Sequence, residues 1–219
     1  DGNGYLKRGY SHVFLVPAEG GAARQVSFGA YTEVGPLAWT PDGAHLLLTS
    51  NRDKDWEREP MDASGSHPRH QTIYRLSLAD GSLTPLSTRV GSFRMPTLSP
   101  DGKTLAYLGF EDKGLGHQDS QLTIAGTRGG DRQPIGPSLD RPIEAYCWAS
   151  DGRSVYLSYV DAGATKVARM SPDGRLKVLA SSLANGDSSL DLPYSGGEFS
   201  ASVGGTLAYT GGDASRPSE

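Results

Sequence analysis

Short apolar runs separated by turn-forming clusters recur from one end of the chain to the other. Runs of this length, rich in Val, Ile, Leu, Tyr and Thr and bounded by Gly, Pro, Asp and Asn, predict β-strands. They fall at residues 12–16 and 24–27, then 36–39, 46–49, 72–78 and 83–87. The series continues at 95–98, 105–108, 121–125 and 133–135, then 144–148, 155–159, 166–170 and 176–179, and ends at 198–203 and 206–210. The second run of each group of four, such as Leu46-Leu47-Leu48-Thr49, is apolar continuously rather than alternately, as expected of a strand covered on both faces. No segment carries an apolar face at helical spacing over the ten or so residues a helix needs.

One phrase punctuates this pattern. Trp39-Thr40-Pro41-Asp42-Gly43 returns as Leu98-Ser99-Pro100-Asp101-Gly102 and as Trp148-Ala149-Ser150-Asp151-Gly152, with the aspartates 59 and then 50 residues apart. Asp bonds its own backbone and Gly takes the dihedral that a side chain resists, so each copy predicts a tight turn between paired strands. A period of about 50 residues belongs to β-propeller blades. The expected fold is therefore all-β: a partial β-propeller of about four blades, with three whole four-stranded blades and a half-blade at each end. The expected boundaries are a half-blade at 1–29, blades at 30–89, 90–137 and 138–181, and a half-blade at 192–211, with residues 181–191 as a loop. The opening Asp1-Gly2-Asn3-Gly4 predicts that the chain starts inside a repeat, and any leader would lie before residue 1.

Composition narrows the function. The 219 residues carry a net charge of −4 without a basic stripe, which offers nothing to nucleic acid and no polybasic run to a membrane surface. The 29 glycines and 14 prolines suit many turns. The single cysteine, Cys147, lies between two aromatic residues in a predicted strand and reads as a buried, inert thiol. It leaves the compartment open between periplasm and cytoplasm.

Candidate chemistry is sparse. There is no Gly-x-Ser-x-Gly nucleophile elbow, and Gly136-Pro137-Ser138-Leu139-Asp140 lacks its closing glycine. Of the five histidines only His67 and His70 lie close together, and they read as solvated loop residues rather than metal ligands. No metal or cofactor is expected. A self-contained propeller enzyme would need converging carboxylates, for which the innermost strands offer chiefly Glu144 and Glu198. Trp39 and Trp148 share one repeat position, and packing between blades explains them better than ligand stacking. The most charged stretch, residues 52–59, holds Trp56 at its middle. As a solvated loop it needs no function. As a contact for a partner domain or a substrate end, it offers Arg52, Asp55, Trp56 and Glu57.

Several phrases resemble one family. These are Gly4-Tyr5-Leu6-Lys7-Arg8-Gly9-Tyr10-Ser11-His12-Val13-Phe14, Ser50-Asn51-Arg52, Asp55-Trp56, and Leu105-Ala106-Tyr107-Leu108-Gly109-Phe110 with Asp112-Lys113. Further ones are Leu139-Asp140-Arg141, Thr165-Lys166-Val167-Ala168-Arg169, and Pro193-Tyr194-Ser195-Gly196-Gly197-Glu198-Phe199-Ser200. Together they resemble the propeller of the prolyl oligopeptidase family (S9) of serine peptidases, in its acylaminoacyl-peptidase and dipeptidyl-aminopeptidase-like branch. The resemblance implies a parent chain with a C-terminal α/β-hydrolase domain that cleaves short or N-acylated peptides, and a propeller that gates access to it. The catalytic residues would lie in that domain, so none is carried onto this chain. The alternative is a stand-alone TolB-like propeller that binds a protein or peptide.

Overall fold

A computed structural model of the chain describes residues 10–52, 70–87, 89–115, 117–127, 133–135, 139–184 and 196–212. All its regular elements are strands. β1 (Phe14–Leu15) and β2 (Arg24–Gln25) form a two-stranded sheet. β3 (Glu33–Trp39), β4 (His45–Ser50), β5 (Thr72–Ser77) and β6 (Leu83–Pro85) form a four-stranded meander in that order. β7 (Gly91–Leu98), β8 (Thr104–Glu111), β9 (Gln121–Gly126) and β10 (Gln133–Ile135) make the second. β11 (Ile143–Trp148), β12 (Val155–Asp161), β13 (Ala164–Met170) and β14 (Leu176–Leu183) make the third. β15 (Phe199–Ala201) and β16 (Leu207–Tyr209) form a separate two-stranded sheet. Every predicted strand is present. The architecture is thus three four-stranded antiparallel sheets with a hairpin before and a hairpin after, the expected partial propeller.

The continuous apolar runs behave as double-sided cover requires. Residues 46–50 of β4, 105–109 of β8 and 155–159 of β12 are all buried. Burial of a leucine contributes about 1.5–3 kcal/mol, so these central strands hold each sheet in place. Hydrogen bonds identify the two hairpins. Val13 N–H donates to the Ser27 hydroxyl at 2.8 Å in the first, as Ile73 N–H donates to Ser87 at 2.9 Å in the first four-stranded sheet. β1–β2 therefore repeats the third and fourth strands of a blade. Its Val13 and Val26 join Leu46, Leu48 and Leu76 in one core. At the other end, Ser202 accepts from Gly205 N–H on its carbonyl (2.9 Å) and from Thr206 N–H on its hydroxyl (3.0 Å). Ser99 does the same for Gly102 and Thr104, at 2.8 and 3.0 Å, so β15–β16 repeats first and second strands.

The Asp-Gly turns use a common device with one substitution. Asp42 Oδ1 accepts from the Thr40 hydroxyl (2.5 Å) and Ala44 N–H (3.0 Å), and Asp101 Oδ1 from the Ser99 hydroxyl (2.6 Å) and Lys103 N–H (3.1 Å). In the third sheet Ala149 has no hydroxyl to give. Ser154, on the far side of the turn, supplies both N–H (2.8 Å) and Oγ (3.0 Å) to Asp151 instead. These bonds favour the ionised acids. The Ser154 amide foremost holds Asp151 down to about 2, and the Ser77 hydroxyl foremost does the same for Asp80 in the β5–β6 turn. Both lie below the ordinary 3.8, so their contribution is complete above about pH 4 and fades as pH falls through about 2. Between those limits the urea midpoint of the chain is expected to fall with pH. It should fall less in an Asp80→Asn/Asp151→Asn double variant; parallel curves would contradict this.

Three local expectations change. The segment 181–191 is not loop from its start, because β14 runs on to Leu183, where it bridges Gly211. Trp39 is 57% exposed, so packing between blades does not account for it, whereas its counterpart Trp148 is half-buried. Cys147 is half-buried in β11, where desolvation pushes its thiol upward against a backbone hydrogen bond from Ala201.

By internal packing the chain divides into two compact units, Asp1–Thr97 with Glu111–Gly116, and Leu98–Phe110 with His117–Glu219. The first contains the β1–β2 core just described. In the second, the buried Tyr146 hydroxyl donates to Ala106 O at 2.7 Å.

Candidate docking site at the end of the second strands

β4 delivers Ser50-Asn51-Arg52 at the end opposite the Asp-Gly turn, and all three hold the segment that leads into β3. The Ser50 hydroxyl donates to Thr32 O at 3.2 Å, and Asn51 Oδ1 accepts from Thr32 N–H at 3.1 Å. Arg52 Nη2 donates to Phe28 O at 3.0 Å and to Glu33 Oε1 in a salt bridge. Its guanidinium carbon also lies 4.9 Å from the centre of the Tyr31 ring, within range for a cation–π contact. The Arg52 and Glu33 side chains are 14% and 3% exposed. Glu33 Oε2 and Arg52 Nε are buried without a hydrogen-bond partner. This Arg52 is a fixed, mostly buried cation. Asp55, Trp56 and Glu57 follow in sequence and lie outside the described residues.

The same connection recurs in the other blades with the charges exchanged. Arg89, before β7, pairs with Glu111 at the end of β8, and Arg141, before β11, pairs with Asp161 at the end of β12 at 3.5 Å. Both are largely exposed pairs. Lys166 joins the last one, 2.7 Å from Asp161, lowering that carboxyl and raising its own ammonium. Two phrases of the family resemblance, Leu139-Asp140-Arg141 and Thr165-Lys166, thus meet on one aspartate that the sequence did not single out. A detectable signal was present: opposite charges recur 19 and 22 residues apart across the first two blades.

His70 is also at this end. It is not the solvated residue expected from its loop, for its side chain is only 10% exposed and Nε2 lies 2.8 Å from Asp112 Oδ2. The backbone brings them together: Gln71 N–H donates to Gly91 O, and Asp112 N–H to Val90 O, each at 2.9 Å. Hydrogen bonding from His70, then from Gly114 N–H at 2.7 Å, holds the Asp112 carboxyl low. His67 lies outside the described residues. Among the described residues, no cluster of three His, Cys, Asp or Glu side chains could hold a metal, and no helix is long and apolar enough to cross a membrane.

The remaining resemblance phrase positions the last hairpin. Gly196 N–H donates to the buried Thr165 hydroxyl at 2.9 Å, and Gly197, at φ +100°, lies against Ala184, Leu183 and Thr210. These residues fix backbone.

No protein-family model matches the chain. Over 128 residues, 58% of its length, it is 25% identical to a dipeptidyl-peptidase 5 of Porphyromonas gingivalis, of which it covers 18%. Over 112 residues, 50% of its length, it is 31% identical to a dipeptidyl-peptidase 5 of Trichophyton schoenleinii, of which it covers 15%. The matched region is thus less than a fifth of either relative. Among solved structures, the β-propeller domain of the trilobed protease from Pyrococcus furiosus superposes with a TM-score of 0.57 at 17% identity, covering 94% of this chain and 53% of that one. A puromycin hydrolase superposes at 0.61 and 19% identity, covering 88% and 30%. An oligogalacturonate lyase from Vibrio parahaemolyticus superposes at 0.67 and 13% identity, covering 95% and 55%, and at such identity the likeness is one of fold. Over about half its length, then, the chain is similar to proteins named dipeptidyl-peptidase 5, and it folds as a segment of a β-propeller.

Proposed function

We propose that this chain is the non-catalytic propeller segment of an S9-type serine peptidase, which docks an α/β-hydrolase domain and gates the access of short or N-acylated peptides to it. The relation to dipeptidyl-peptidase 5 over half the chain carries this reading. The anchored Arg52 supports a docking contact at residues 52–57. Glu33, Phe28 O and Tyr31 hold the guanidinium in one place, so Asp55, Trp56 and Glu57 start from a fixed point. An anchored start lowers the ordering cost of a docking loop.

In this reading the isolated chain turns over neither dipeptidyl nor acyl-aminoacyl anilides. Turnover abolished by a serine-directed inhibitor would overturn it. The reading frame beyond Glu219 provides the second test. A downstream Gly-x-Ser-x-Gly segment is the expected result, and a gene that stops at Glu219 would replace the peptidase reading with a free-standing peptide- or protein-binding propeller.

A further inference from the structure

The outer strand of the third blade differs from the other two. β6 and β10 have three residues each and contain Pro85 and Pro134, which present no N–H to a further strand. β14 has eight residues and no proline. Its C-terminal end is already complemented by the chain itself, since Leu183 bridges Gly211, Ala184 N–H donates to Thr210 O, and Gly212 N–H donates to Ser182 O, both at 3.3 Å. Residues 176–181 have no such cover among the described residues. Val178 and Leu179 are 47% and 41% exposed there, and Lys177 is exposed beside them.

The ladder to β13 determines which backbone groups face outward. Ser171 N–H donates to Arg175 O at 3.0 Å, which closes the hairpin. Bonded and non-bonded pairs alternate along an antiparallel ladder, so Arg169 and Lys177 form the next bonded pair. Leu176 and Val178 sit in the non-bonded pairs, opposite Met170 and Ala168, and turn their N–H and C=O away from β13. The exposed side chains along residues 176–181 are Lys177, Val178, Leu179 and Ser181. Lys177 stands across from Arg169 in the register, and just beyond Val178 the register shifts, leaving Leu179 without a partner on β13. Arg169 is answered by Asp151 at 2.7 Å and Arg175 by Asp173 at 3.3 Å, whereas Lys177 has no ion pair among the described residues.

We propose that residues 176–181 of β14 accept an extended acidic peptide segment as a fifth strand of the blade. Its backbone would bond to the outward groups of Leu176 and Val178, its carboxylates would face Lys177, and its apolar residues, on the opposite face, would cover Val178. Main-chain bonding of this kind supplies affinity while the alternating side chains supply selectivity. The proposal does not rest on the peptidase reading.

The test titrates the 219-residue chain with two blocked heptapeptides, one alternating valine with glutamate and the other valine with lysine. Protection of the Leu176 and Val178 amides from hydrogen exchange is the readout. The glutamate peptide should bind at least about fivefold more tightly than the lysine peptide, with the difference shrinking as salt rises. Val178→Pro removes an outward N–H without touching the β13 ladder and should abolish protection at Leu176. Lys177→Glu should reverse the preference between the peptides. Equal binding of both peptides, binding unchanged in Val178→Pro, a preference unmoved by Lys177→Glu, or self-association of the chain through β14 in place of peptide binding would each overturn the proposal.

Discussion

Replacing Glu33 with alanine is expected to destabilise the chain by about 3–5 kcal/mol, the range for removing one partner of a buried ion pair. The carboxylate is 3% exposed and its partner 14% exposed. Loss of Glu33 leaves the Arg52 guanidinium with Phe28 O and the Tyr31 ring, neither of which carries a countercharge. Arg52→Met should cost a similar amount by stranding the acid. The Glu33→Leu/Arg52→Met pair should recover most of the loss, because apolar replacement of a whole buried pair is often neutral. Removing Arg89 or Arg141 gives the contrast, since those pairs are exposed and worth about 1 kcal/mol or less. Urea unfolding of the five variants tests this. Losses for Glu33→Ala no larger than those at Arg89 would refute the assignment of a buried anchor.

Gly197→Ala is the second change expected to be severe, at about 2–4 kcal/mol from backbone strain and overpacking combined. Its φ is +100°, and an added Cβ would lie 2.9 Å from Ala184 N and 3.0 Å from both Leu183 Cβ and Thr210 Oγ1. Two of these neighbours cannot swing away, being backbone or the first carbon of a side chain. The same substitution at Gly43, also at positive φ but with nothing within 4 Å, meets backbone strain alone and should cost less. Thermal unfolding of the two variants measures the difference, and equal losses would assign the effect at Gly197 to dihedral strain only. Because Gly197 joins β14 to the last hairpin, its variant should also lose hydrogen-exchange protection at Ala184 before the rest of the third blade does.

Much of the fold was legible because its determinants are local. The Asp-Gly turns depend on residues within five positions of one another. The buried second strands announce themselves as unbroken apolar runs, since cover on both faces removes the alternation a half-solvated strand would show. The hairpin strands are shorter than expected, as with the run 198–203, in which the strand spans Phe199–Ala201. The candidate site was less legible. Arg52 stood out as part of a charged run, but the run suggested solvent, and the burial of Arg52 depends on Glu33 reaching it from the neighbouring strand β3. His70 looked like a loop residue until the segments at Gln71 and Asp112 were brought beside β7.

By itself the sequence determined the strands, their order, the turns that join them and the identity of the two half-blades, because hydrogen bonding within a turn and the apolar character of a run are properties of neighbouring residues. Tertiary structure alone decided which charges meet and where the chain returns to the end of β14. Glu33 with Arg52, Arg141 and Lys166 with Asp161, and the bridge from Leu183 to Gly211 all join residues on different strands or on the segments between them. Their energies depend on distance and burial, which the chain acquires only when the sheets have formed.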